Sequence, residues 1–138
     1  MKIIILLCLL TAVLGYSYNN TMIEEDFRAM DTNADGSITN DERENKFRRM
    51  DVNGDSKVSF VEFHKRLRPG ISLAVSYAAF NIYDQQSGHK DNFYDFWDSQ
   101  ATFNLVDLDH DNKLTLEEYK RHVKQIIERS RNDSGVTA

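Results

Sequence analysis

A twelve-residue acidic pattern is repeated along this chain. Its first two copies span residues 31–42 and 51–62, and each has oxygen-bearing side chains at positions one, three, five, nine and twelve. A third copy spans residues 107–118, and residues 84–95 carry a damaged version. A phenylalanine stands one helical turn before the first aspartate of each copy: Phe27, Phe47, Phe80 and Phe103. A repeat of this kind indicates that the chain is built from copies of one structural unit.

The segments between the acidic loops have helical periodicity, which predicts an all-α fold of four helix-loop-helix units. We interpret their apolar stripes as core: Ile23, Phe27 and Met30; Leu73, Tyr77 and Phe80; Tyr119, Val123 and Ile126. Capping-box spacing predicts where helices begin: Thr21 with Glu24, Thr39 with Glu42, Ser59 with Glu62, and Thr115 with Glu118. Arg68-Pro69-Gly70 is the strong break, and it divides the units into two pairs.

The first loop has the donor set of a site for a hard cation. Its predicted ligands are the side chains of Asp31, Asn33, Asp35 and Glu42 and the backbone carbonyl of Ser37. Thr39 can ligate directly or through water, and Gly36 permits the sharp turn. Because Glu42 can offer both carboxylate oxygens, about seven oxygens converge, which suits Ca²⁺ better than Mg²⁺.

The second and fourth loops offer a similar donor set. In the second loop, the predicted ligands are the side chains of Asp51, Asn53, Asp55 and Glu62 and the carbonyl of Lys57. In the fourth, they are the side chains of Asp107, Asp109, Asp111 and Glu118 and the carbonyl of Lys113. Ser56 replaces the turn glycine at a cost of roughly 1 kcal/mol, so we expect a weaker second site. The fourth loop has an extra carboxylate, so we expect it to bind most tightly.

These loops resemble the EF-hand calcium-binding loops, whose pattern is D-x-[DN]-x-[DN]-G-x5-E. The resemblance covers nearly all of residues 16–130. It implies three intact EF-hand units, around residues 31–42, 51–62 and 107–118, and one degenerate unit around 84–95. It also implies about three bound Ca²⁺ ions and short β-bridges between paired loops at position eight.

The degenerate unit lacks several ligands when it is counted from Asp84. Position three is Gln86, position five is Gly88, position eight is the polar Asp91, and position twelve is the short Asp95. We therefore expect this unit to bind calcium poorly and to serve as the structural partner of a working unit.

The spacing of the loops predicts an unusual pairing. A calmodulin-like pair has an exiting helix, a linker and an entering helix between its loops, whereas residues 43–50 alone separate the first two loops here. With the end of the first loop they form one helix of about 11 residues, roughly 16 Å long. Residues 96–106 impose the same constraint on the third and fourth loops. We therefore expect the first loop to pair with the fourth, placing Ile38 opposite Leu114, and the second with the third.

The N-terminal residues have the pattern of a secretory signal peptide. Met1-Lys2 precede an apolar run, Ile3 to Leu14, that is too short to span a bilayer, and small residues follow it. We expect cleavage after Gly15, which removes the single cysteine, Cys8. The prediction is a secreted, extracellular domain of residues 16–130 with a flexible tail, 131–138, and no stable membrane insertion after cleavage.

Two functions remain open on the sequence alone. One is a secreted calcium-binding protein with a structural, buffering or storage role. The alternative is an extracellular or luminal calcium-dependent adaptor or sensor that binds a protein partner. The aromatic segment around Trp97 could line a partner site, but we favour core packing for it. An enzyme is not expected, because no cysteine survives cleavage and HExxH and glycine-rich phosphate motifs are absent. The net charge of −5 argues against nucleic-acid binding.

Overall fold

A computed structural model describes residues 19–135. The predicted signal peptide, residues 1–15, lies outside the described residues, as do the last three residues of the predicted tail, 136–138. Within residues 19–135, no helix is both long enough and apolar enough to cross a membrane.

Six helices and four short strands make up the described part of the chain. In chain order they are α1 (Asn20–Met30), β1 (Ser37–Thr39), α2 (Asn40–Met50), β2 (Lys57–Val58), α3 (Phe60–Arg66), α4 (Leu73–Asp84), β3 (Tyr94–Asp95), α5 (Phe96–Val106), β4 (Lys113–Thr115) and α6 (Leu116–Ser134). The fold is therefore mainly α. Each of the four acidic loops lies between two helices and contains one strand.

Helices α2 and α5 each connect two loops directly. A capping box starts α2, in which the Thr39 side chain accepts from the Glu42 N–H and the Glu42 side chain accepts from the Thr39 N–H. The helix has 11 residues, and the first residue of the next loop, Asp51, still donates its N–H to the Phe47 carbonyl at 3.0 Å. A helix of this length is about 16 Å long, so it holds the first two loops apart. Helix α5 has the same length and connects the third loop to the fourth.

The strands join the loops in the arrangement that the spacing predicts. Strand β1 pairs antiparallel with β4, with Ile38 opposite Leu114. Strand β2 pairs antiparallel with β3, with Val58 opposite Tyr94. The first loop therefore lies beside the fourth and the second beside the third, at opposite ends of α2 and α5.

Each loop pair has its own apolar cluster. The first cluster combines the bridge residues Ile38 and Leu114 with apolar residues of α1 and α5: Phe27, Met30, Phe103 and Val106. The second cluster combines the bridge residue Val58 with Phe47, Phe63 and Phe80. The phenylalanine that precedes each loop is therefore buried in all four units, as its position one turn before the loop predicts.

Two further contacts hold these units together. The long helix α6 packs against α4 and α1. Arg68, in the break between the unit pairs, donates to the carboxylates of Glu25 and Asp26 on α1 at 2.8 and 3.0 Å and to the Met22 carbonyl at 3.1 Å. The break is thus fixed to the first helix.

Several expectations from the sequence differ from the structure. Leu73 and Tyr77, interpreted as core, are 63% and 49% exposed, so that interpretation is wrong for them, because α4 turns a different side inward and buries Ser76, Ala78, Phe80 and Ile82. Helix α1 is capped by Asn19, whose side chain accepts from the Met22 N–H, so the predicted Thr21–Glu24 capping box is wrong. Residues 131–134 continue α6, which ends where Gly135 adopts φ +72°, so the tail does not begin at 131. Trp97 is 69% exposed, so the core interpretation of its segment is wrong for this side chain.

Burial of His122 predicts a pH-dependent stability. Desolvation, followed by repulsion from Lys46, lowers the pKa of His122 to about 4 from the ordinary 6.5, and its ring bonds the Tyr83 hydroxyl at 3.3 Å. The unfolded chain therefore binds an extra proton in this window, and the unfolding free energy falls as the pH drops from 6.5 towards 4. The loss is on the order of 1.4 kcal/mol per pH unit.

Chemical denaturation across this pH window, with His122→Gln as the matched variant, tests this prediction. Carboxylates titrate in both proteins, so the difference between the two pH profiles isolates His122. We expect a shallower pH dependence in the variant. Parallel profiles for the two proteins would contradict the assignment.

Candidate metal sites

The first loop is wrapped around its own side-chain oxygens. Asp31 accepts from the Asp35 N–H at 3.2 Å and from the Gly36 N–H at 2.8 Å. Asp35 accepts from the Ser37 N–H at 2.9 Å, and Glu42 accepts from the Thr39 N–H at 2.8 Å. These bonds aim backbone donors at carboxylates and bring both ends of the loop together.

The second and fourth loops repeat this geometry closely. Asp51 accepts from the N–H groups of Asp55 and Ser56 at 3.2 and 2.8 Å. Asp107 accepts from those of Asp111 and Asn112 at 3.2 and 2.9 Å. The twelfth residue is again held by the ninth, because Glu62 and Glu118 each accept from a backbone N–H at 2.9 Å. Three of the four loops therefore share one conformation.

Backbone conformation explains the residue types at the turn. Position six has positive φ in all three loops, at Gly36 (+84°), Ser56 (+66°) and Asn112 (+64°). Position four is also left-handed, and here the second loop has Gly54 where the first has Ala34. Glycine adopts this region without strain, so Gly54 offsets part of the cost at Ser56. The weaker calcium binding expected for the second loop stays a prediction.

Carboxylate oxygens converge in two of the loops. Asp51, Asp55 and Glu62 each offer an oxygen within 4.8 Å of the others, and so do Asp107, Asp109 and Glu118. Two oxygens at this separation can both lie about 2.4 Å from one ion, which is the Ca²⁺–oxygen distance in proteins. The carboxylates of these two loops are therefore gathered closely enough that they could hold one ion between them.

The first loop has the same wrapping but a wider set of carboxylates. Within residues 31–42, three carboxylate oxygens do not come within 4.8 Å of one another. Glu42 accepts from the Thr32 hydroxyl and the Asn33 N–H, both at 3.4 Å, much as Glu62 accepts from the N–H groups of Val52 and Asn53 at 3.0 and 3.3 Å. An ion shared by three of these carboxylates would need them to draw closer together.

The remaining predicted ligands lie in the same loops as the carboxylates. Asn33 and Asn53 donate through their side-chain amides to Asp35 and Asp55 at 3.3 Å, so each asparagine lies beside a predicted ligand. The predicted carbonyl ligands belong to strand residues, Ser37, Lys57 and Lys113. The Lys57 side chain lies over the Phe93 ring, with Nζ 5.0 Å from its centroid.

Local charge and hydrogen bonding tune the carboxylates. The Ser37 backbone N–H lowers the pKa of Asp35, and the Ser59 backbone N–H lowers that of Glu62. Desolvation raises the pKa of Asp109, and the neighbouring Asp107 and Asp111 raise it further. The fourth loop thus concentrates negative charge, which a cation would neutralise.

The predicted register of the third loop is wrong. Asp84 accepts from the N–H groups of Asp91 and Asn92 at 3.2 and 2.9 Å, the two bonds that positions five and six make in the other loops. Asn92 has φ +68°, as position six does elsewhere. Asp91 is seven residues after Asp84, whereas position five is four residues after position one, so this loop has three extra residues.

The residue equivalent to position twelve is therefore Asp98 and not Asp95. Asp98 accepts from the Asp95 N–H at 3.2 Å, Asp95 accepts from the Asp98 N–H at 2.9 Å, and the two form the capping box of α5. The spacing Asp95-x-x-Asp98, which is that of a capping box, was the feature of the sequence that could have revealed this register. Asp84 and Asp98 are fully buried, and burial raises the pKa of both carboxyls.

The structure consists of helix-loop-helix units whose acidic loops are paired by short strands. This arrangement is typical of calcium-binding proteins of the EF-hand class. The family model "EF hand" matches residues 25–42 and 100–124, which contain the first and fourth loops. These two matches support an EF-hand calcium-binding family for the chain. No curated protein and no solved structure matches it.

Neighbouring glutamates in the fourth loop provide a matched test of the ligand assignment. We expect Glu118→Gln to remove one calcium ion from the stoichiometry, because the amide keeps an oxygen for the helix cap but loses the charge and one ligand oxygen. We expect Glu117→Gln to change nothing, because the Glu117 side chain is 86% exposed and lies outside the ligand pattern. Isothermal titration calorimetry with Ca²⁺ measures both. Equal stoichiometries in the two variants would contradict the assignment.

Proposed function

We propose that this chain is a secreted calcium-binding protein with three EF-hand sites, in the first, second and fourth loops. The convergence of three carboxylates in each of the second and fourth loops supports this proposal most directly. The family matches, which include the first loop, support it independently.

The proposed role is structural, buffering or storage. Extracellular modules with sites of this kind bind calcium at about 10⁻⁴ to 10⁻³ M. At extracellular calcium levels such sites are filled, and the bound ions stabilise the fold by mass action. The chain has a single cysteine, Cys8, so no disulfide can form within it, and bound metal would supply rigidity that disulfides give to other small secreted domains.

The third unit is proposed to act as a structural partner. Its strand pairs with that of the second loop, and Tyr94 packs against the second apolar cluster. Its buried carboxylates already accept hydrogen bonds from loop backbone, including Ser87 N–H to Asp98 at 3.1 Å. We assign no ion to it.

A calcium-dependent adaptor is the second candidate. The observation that favours it is the exposure of Trp97 (69%) and Leu105 (60%), which lie eight residues apart on one side of α5. We propose no catalytic activity and no nucleic-acid partner for either candidate.

A calcium titration of the purified protein by calorimetry tests the proposed function. We expect three ions to bind, with dissociation constants of about 10⁻⁴ to 10⁻³ M. Micromolar affinity would favour the adaptor, because such sites respond to changing calcium. Absence of binding would contradict both candidates. N-terminal sequencing of the protein from a secreting cell tests the export part, with Tyr16 as the expected first residue.

A further inference from the structure

Arg43 lies at the junction of the two halves of the molecule. It immediately follows Glu42, the twelfth residue of the first loop, and is 6% exposed. Its guanidinium donates to the Ser99 hydroxyl at 2.8 Å and to the Gln100 side-chain oxygen at 2.9 Å, both on α5. The first turn of α2 is thus fixed to the helix that starts at the third loop.

The surroundings of Arg43 include both apolar clusters. Its guanidinium carbon lies 5.9 Å from the ring centroid of Phe103, a member of the first cluster. Tyr94 packs against the second cluster and lies opposite Val58 in the bridge. Burial raises the pKa of Tyr94 to about 12, whereas Ser99 and Arg43 lower it, as expected if both side chains lie near its hydroxyl.

These contacts form a continuous path from the first loop to the second. It runs from Glu42 to Arg43 along the chain and from Arg43 to Ser99 by a hydrogen bond. Tyr94, whose pKa both side chains lower, lies opposite Val58 in the bridge. Buried hydrogen bonds to a guanidinium have fixed geometry, so a shift at one end of such a path is passed to the other.

The first loop supplies a reason for such a shift. Its carboxylates are not gathered, whereas those of the second and fourth loops are. Calcium binding there would engage the Glu42 carboxylate, which belongs to the first turn of α2 next to Arg43.

We propose that Arg43 is a positioning residue that couples calcium binding in the first loop to calcium affinity in the second loop. This inference rests on the proposed function, because it requires both loops to bind calcium. It predicts cooperation between two loops that share a helix but no bridge.

The test is a calcium titration of the full protein followed by NMR. The amide of Val58 reports on the second loop and that of Ile38 on the first. Asp31→Asn weakens the first loop without altering α2, and we expect it to reduce the calcium affinity of the second loop by about fivefold or more. In backgrounds carrying Arg43→Met or Ser99→Ala, we expect Asp31→Asn to leave that affinity unchanged.

Arg48→Met is the matched control, because Arg48 is on the same helix but its side chain is 74% exposed. In that background the effect of Asp31→Asn should persist. If Arg43→Met does not fold, Ser99→Ala, which removes only one hydroxyl, still tests whether the effect of Asp31→Asn on the second loop is lost. A purely structural role would lower the second-loop affinity in these backgrounds but leave the effect of Asp31→Asn intact, which would overturn the inference. No response to calcium at either amide would contradict the proposed function instead.

Discussion

The short helices shared between loops are the constraint on which the rest of the structure depends. Helix α2 is the exit from the first loop and the approach to the second, and α5 does the same for the third and fourth. Because a rigid helix of 11 residues holds its two ends about 16 Å apart, loops that are neighbours in sequence cannot pair across it. Pairing therefore occurs between the first and fourth loops and between the second and third. The two bridges and the two apolar clusters follow from this arrangement.

The acidic loops owe their shape to the oxygens that are proposed to hold the ion. Asp31, Asp51 and Asp107 each accept two backbone N–H groups from their own loops, and these bonds fix the turns. The backbone donors also favour ionised carboxylates, as the lowered pKa values of Asp35 and Glu62 indicate. A loop of this kind holds its charged ligands in place before any ion binds. The carboxylates of the first loop are less closely gathered than those of the second and fourth.

Patterns with fixed local spacing were readable from the sequence, and departures from that spacing were not. The caps at Thr39, Ser59 and Thr115 and the position of Ile38 opposite Leu114 follow from residue type and loop separation. The third loop was misassigned because counting eleven residues from Asp84 gives an acid at Asp95, whereas the hydrogen bonds reveal three extra residues before Asp91. The exposure of Trp97 depends on which side of α5 faces its neighbours, and the weak amphipathicity of that helix did not reveal it.

Proton–proton distances across the bridges test the loop pairing most directly. An NMR measurement of nuclear Overhauser contacts should connect the backbone of Ile38 with that of Leu114, and the backbone of Val58 with that of Tyr94. The shared helices should prevent any such contact between Ile38 and Val58. A strong backbone contact between Ile38 and Val58 would mean that the first two loops pair despite the helix between them, and would contradict this account of the fold.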